Sequence, residues 1–120
     1  MEGKPILLVE DDDAIREVVA MLLMAEGYPV QTAPDGAEAL RVMERTSPSL
    51  VVLDMNMHVL DGWGFAAQAK GRGFDAPILV MTAIRDNAQR AATEIGAAGY
   101  LAKPFKLLEL LEAIETLRAA

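Results

Sequence analysis

The sequence predicts an α/β domain built on a doubly wound parallel sheet, and three observations carry that prediction. Apolar runs of strand length alternate with segments of helical period along the whole chain. The strand-like runs contain few polar positions, as strands buried on both faces do. Short polar motifs fall at the downstream ends of these runs, where an open parallel sheet places its ligand crevice. Strands of this kind, each followed by a helix, imply right-handed crossovers with helices on both faces.

The elements follow in order. Ile6 to Val9 reads as the first strand, followed by the acidic run Glu10, Asp11, Asp12 and Asp13, in which Asp12 or Asp13 caps the next helix. In that helix Ile15, Val18, Val19, Leu22 and Leu23 recur at i, i+3, i+4, i+7 and i+8 and are expected to face the sheet; Gly27 and Pro29 close it. Val30 to Ala33 is the second strand, and the turn Pro34-Asp35-Gly36 opens a helix over Ala37 to Arg45. Leu50 to Leu53 is the third strand. A short helix is expected over Trp63 to Lys70, because Gly64 lowers its propensity and Gly71 and Gly73 end it early. Ile78 to Met81, a helix from Asp86 to Ile95 stopped by Gly96, and Tyr100 to Ala102 complete the alternation. The last helix turns Leu107, Leu110, Leu111, Ile114 and Leu117 inward, with Glu109, Glu112, Glu115 and Arg118 mostly on the other side.

Length and composition narrow the function. A chain of 120 residues with 52% hydrophobic content fits one domain with one core, and no linker, repeat or low-complexity segment interrupts it. The absence of cysteine excludes a disulfide scaffold and thiolate metal sites. The start MEGKPILLVE lacks the plan of a signal peptide, and the longest apolar run, Val18 to Ala25, is less than half of a membrane span, so a cytoplasmic protein is expected. A net charge of −7 without clustered Lys and Arg argues against direct binding of nucleic acid. The repulsion within Glu10 to Asp13 must be relieved by solvent, a helix N-terminus or a cation.

Each strand-end motif has a structural reading when taken alone. Asp61-Gly62 is a turn, Thr82 a hydroxyl bonding its own backbone, Lys103 a solvated charge, and an isolated Asp54 rarely more than a cap. Their joint occurrence in this order is what matters. It gathers acidic, hydroxyl and ammonium groups on one sheet edge, which is a phosphoryl-transfer site in outline. If the first and third strands are neighbours, Asp11 and Asp54 face each other as hard oxygen donors suited to Mg²⁺.

The set ILLVEDD, LVVLDMNM, LDG, VMTA and GYLAKPF, at these spacings, resembles the receiver domain of two-component response regulators over the whole of 1–120. The resemblance implies a flavodoxin-like (βα)5 fold, one receiver domain with a five-stranded parallel sheet in the order 2-1-3-4-5. It implies that Asp54 accepts a phosphoryl group from a sensor histidine kinase or phosphotransfer protein. Glu10, Asp11, Asp54 and the backbone carbonyl of Asn56 would hold Mg²⁺, and Lys103 and Thr82 would contact the phosphoryl oxygens. Thr82 and Tyr100 would carry the switch to a downstream protein or attached output domain. It also implies a cis bond between Lys103 and Pro104. The activity would be limited to Mg²⁺-dependent self-phosphorylation and autodephosphorylation.

Some positions depart from the family pattern. Glu10 stands where Asp is more common and His58 where a proline usually follows; Trp63, just after the Asp54 loop, is expected to report on the site, with anchoring of the third helix to the sheet as its structural reading. His58 is assigned no catalytic role. GAAGY and Ala113 replace the charged partners of receivers on winged-helix transcription factors, so the salt-bridged dimer of that group is not expected. A Mg²⁺-dependent phosphatase with an aspartyl-phosphate intermediate is the alternative enzyme, but it would need a second acid where Asn56 stands and a cap domain. A nucleotide- or flavin-binding domain would need a glycine-rich loop after the first strand.

Overall fold

The computed structural model describes residues 4–83 and 87–119. Three strands rich in Leu, Ile and Val form the sheet interior: β1 (Ile6–Val9), β3 (Leu50–Asp54) and β4 (Ile78–Thr82), all but Ile78 buried along their length. The edges are β2 (Val30–Ala33), which carries exposed Gln31 and Thr32, and β5 (Gly99–Ala102), which carries exposed Tyr100. Every pairing is parallel and the order is β2-β1-β3-β4-β5, the doubly wound arrangement implied by the sequence.

Alternation along the strands divides the core in two. Leu7, Val9, Val51, Leu53 and Val80 pack under α2 (Gly36–Thr46), α3 (Gly62–Gly71) and α4 (Ala88–Ile95). Ile6, Leu8, Leu50, Val52, Leu79 and Met81 pack under α1 (Asp13–Ala25) and α5 (Leu107–Ala119). In α5 the expected stripe holds, with Leu110 and Ile114 fully buried; each such side chain contributes about 2 kcal/mol. Asp12, Asp35 and Asp61 cap α1, α2 and α3 by accepting from Ile15 N, Glu38 N and Gly64 N. The expected start of the fourth helix at Asp86 lies outside the described residues, and α4 is seen from Ala88.

Two expectations shift. Strands β3 and β4 each run one residue further than the apolar runs, so Asp54 and Thr82 are paired strand residues, opposite Met81 and Ala102. Ladder hydrogen bonding continues through polar residues that periodicity excludes. The inward face of α1 is Arg16, Val19, Ala20 and Leu23, rotated by about a quarter turn from the predicted stripe. Arg16 takes the first inward position because its guanidinium donates to the Glu10 carbonyl at 2.8 Å. Ile15, Val18 and Leu22 are left partly exposed, and with Met21 and Met24 they form an apolar outer face.

Gly62 sets the height of the loop after β3. Its N–H donates to the Met55 carbonyl at 3.0 Å, and a Cβ there would lie 2.7 Å from the Met55 Cα. Gly71, at the end of the same helix, has open space around it. Gly62→Ala should therefore cost more than about 2 kcal/mol in urea unfolding, because backbone must move. Gly71→Ala should be neutral or stabilise by about 0.5 kcal/mol.

Candidate functional site

Strand register brings the polar motifs together. Val9 pairs with Leu53, so Glu10 and Asp54 are the next positions on adjacent central strands. Ala102 pairs with Thr82, and the Lys103 N–H donates to the Thr82 carbonyl at 2.7 Å, which carries the ladder to Lys103. Glu10, Asp54 and Lys103 continue the same alternation as Leu8, Val52 and Leu101 and converge over one side of the sheet edge. The bond between Lys103 and Pro104 is cis, as expected.

The result is a compact charged cage. Glu10, Asp11 and Asp54 each present a carboxylate oxygen within 4.8 Å of the others. Glu10 is 1% exposed and Asp54 4%. The Lys103 ammonium lies 2.6 Å from Glu10 Oε1 and 3.7 Å from Asp54 Oδ2. The other Glu10 oxygen accepts from the Asp12 N–H at 3.1 Å, and Asp54 Oδ1 accepts from the Asn56 N–H at 3.2 Å. Thr82 is buried, and its hydroxyl oxygen accepts from the Asn56 side-chain amide at 3.2 Å. Such a set of hard oxygen donors with excess negative charge fits a cation such as Mg²⁺.

Two cations relieve the acidic run from within. Besides Lys103, Arg16 bridges the Glu10 carbonyl and Asp13 Oδ1, the latter at 2.6 Å. Arg16 is the site residue that the sequence reading missed; its only local signal was the i+3 spacing from Asp13. His58 is almost fully exposed, with Nε2 3.9 Å from Asp11 Oδ2. Beside it Val59 has a φ of 68°, a strained value for a β-branched residue, and is 82% exposed at the tip of the loop. Trp63 does not anchor α3 to the sheet. Gly62 and Phe65 occupy the inward positions, and the indole N–H instead donates to Glu94 Oε1 on α4 at 3.0 Å. Trp63, Thr82 and Glu94 share the wall of a cavity of about 220 Å³ behind the cage. Tyr100 is 45% exposed on the edge strand.

A model of the response regulator receiver domain matches residues 6–115. The chain belongs to this family. Among curated proteins it is 45% identical over 113 residues to the response regulator MprA of Mycobacterium leprae (strain TN), covering 93% of this chain and 50% of that protein. It is 40% identical over 111 residues to the probable transcriptional regulator ycf27 of Porphyridium aerugineum, covering 92% of this chain and 46% of that protein. The receiver thus spans about half the length of these relatives. Among solved structures it superposes with a TM-score of 0.89, at 32% identity and over 98% and 99% of the two chains, on the receiver domain of a sensor histidine kinase from Pseudomonas aeruginosa PAO1, which has a magnesium ion coordinated in its active site cleft. It also superposes with a TM-score of 0.84, at 33% identity and over 95% and 98%, on the response regulator TrrA of Thermotoga maritima in complex with Mg²⁺ and BeF. Among the described residues, no helix of this receiver is long and apolar enough to cross a membrane.

Burial, and then the charge of Glu10, push the Asp54 carboxyl up to about 7, against the opposing pull of Lys103 and the Asn56 N–H. A carboxyl raised in the folded state binds more protons than its unfolded counterpart between about pH 4 and pH 7, so its contribution to stability is lost as pH rises through that window. In metal-free buffer Asp54→Asn should exceed the parent in stability by roughly 2 kcal/mol at pH 8. That advantage should shrink as pH falls toward 4. Unfolding midpoints for the two proteins that run parallel across this range would contradict the assignment.

Proposed function

We propose that this receiver takes a phosphoryl group from a sensor histidine kinase or phosphotransfer protein onto Asp54 and passes the resulting change to an output partner. The observation that carries the reading is the convergence of Asp54 with two further carboxylates and Lys103 in one cage. Glu10, Asp11, Asp54 and the Asn56 backbone carbonyl would hold Mg²⁺. The bound ion would supply positive charge against the phosphoryl oxygens and between the carboxylates.

The chemistry asked of the chain is modest. An Asp54 oxygen attacks phosphorus in line, the P–N bond of the phosphohistidine donor breaks, and the imidazole leaves with the bonding pair. Lys103 neutralises one phosphoryl oxygen, and the Thr82 hydroxyl donates to another. Thr82 sits in the wall shared with α4, so its hydrogen bond to the phosphoryl group acts on the face that also carries Tyr100. Docking is supported by the apolar outer face of α1, whose Ile15 lies one turn from the acidic run. The activity is self-phosphorylation and autodephosphorylation, with the output carried by a separate protein or an attached domain. A cytoplasmic setting follows from the nature of the donor.

Incubation with acetyl phosphate and Mg²⁺ should add one phosphoryl group, seen by intact mass and labile to hydroxylamine. Asp54→Asn should abolish it. Thr82→Ala should still be modified but should lose most of the change in amide exchange near β5. A label that survives Asp54→Asn, or forms equally well without a divalent ion, would overturn the reading.

A further inference from the structure

An exposed valine is ordinary, but a valine held at positive φ is not. Val59 has a φ of 68° in the loop between β3 and α3, and it is 82% exposed. The Leu60 N–H donates to the His58 carbonyl, two residues back, at 2.8 Å, so Val59 is the centre of a three-residue turn of the strained kind. Glycine or asparagine takes positive φ at much lower cost. The Val59 side chain gains too little burial within this chain to offset the strain.

The strain is imposed from both sides of the turn. Upstream, the Met55 carbonyl accepts from the Gly62 N–H, and the Asn56 N–H is held by Asp54 Oδ1. Downstream, Leu60 is wedged between the starts of α2 and α3: its carbonyl accepts from the Gly36 N–H at 3.0 Å, and a Cβ on Gly64 would lie 2.5 Å from its Cδ1. Leu60 also packs against the core beneath those helices. With both ends fixed, the residue at the apex turns sharply and directs its side chain to solvent. That apex stands on the rim of the cage, since the neighbouring His58 brings Nε2 to 3.9 Å from Asp11 Oδ2.

We infer that Val59 is a contact and specificity residue for the protein that carries the phosphohistidine, kept at a strained position because its side chain buries against that partner during transfer. The inference rests on the proposed phosphoacceptor reading and deepens it: it adds a residue that acts on the protein donor alone. Asp54 is buried, so a partner that aims an imidazole-bound phosphorus at it in line must bring its own surface against the rim. A small acyl phosphate has no such surface. Valine suits the contact because one stiff torsion leaves little side-chain freedom to lose on docking. Glycine or asparagine would serve the fold better and the contact worse.

The variants Val59→Gly, Val59→Asn and Val59→Ile separate the side chain from the strain. Val59→Gly and Val59→Asn should unfold at higher urea concentration than the parent. All of them should take phosphate from acetyl phosphate and Mg²⁺ at the parent rate. The protein donor is the autophosphorylated catalytic core of a sensor histidine kinase, the one of a purified panel that transfers fastest to the parent. From it, Val59→Gly and Val59→Asn should lose about fivefold to tenfold in kcat/KM with kcat unchanged, while Val59→Ile should behave as the parent does. Equal transfer to all the variants would overturn the contact, and so would a matching loss with acetyl phosphate, which would assign Val59 to loop geometry. Lower urea midpoints for both Val59→Gly and Val59→Asn would show the turn to be unstrained and overturn it as well, as would failure of every kinase on a parent that acetyl phosphate labels. A parent that acetyl phosphate does not label would overturn the functional reading, and the contact with it.

Discussion

The contact on which the site depends is the buried pair between Glu10 and Lys103. Three carboxylates within 4.8 Å of one another could not be held at the end of a folded sheet without compensation. Lys103 supplies it at 2.6 Å from Glu10, from the turn after β5, a strand that is not adjacent to β1. A buried pair of this sort adds little net stability, since desolvation offsets much of the attraction, but removing one partner leaves charge with no counterpart.

The sheet is what makes that contact possible. Parallel register aligns the carboxyl ends of β1, β3, β4 and β5, and alternation sends Glu10, Asp54 and Lys103 to the same side. The apolar layers below are closed by Leu23, Leu110 and Ile114 on one face and Phe65 and Leu40 on the other, so polar side chains find room only at the edge. Gly62 then holds the loop carrying Asn56 against Met55, which keeps the Asn56 N–H on Asp54 and its amide on Thr82.

Much of this was legible in the sequence, for physical reasons that also explain what was not. Buried parallel strands have few polar positions, so β1, β3 and β4 stood out, and polar residues at their ends marked the site. Asp54 and Thr82 were read as lying just beyond their strands because hydropathy cannot see ladder hydrogen bonds. The inward face of α1 was misread for a related reason. Its first inward position is Arg16, a charged residue drawn in by the Glu10 carbonyl, and an apolar count assigned that face to Ile15, Val18 and Leu22. Trp63 had anchoring to the sheet as its structural reading, but the buried positions of α3 are Gly62, Phe65, Ala66 and Ala69, and the Trp63 indole N–H donates to Glu94 instead.

A crystal structure of the receiver with Mg²⁺ and beryllofluoride tests the central claim most directly. The account predicts beryllium on an Asp54 oxygen, with Lys103 Nζ and the Thr82 hydroxyl within hydrogen-bond distance of the fluorides. Beryllofluoride absent from Asp54, or bound there without contact to Lys103, would contradict it.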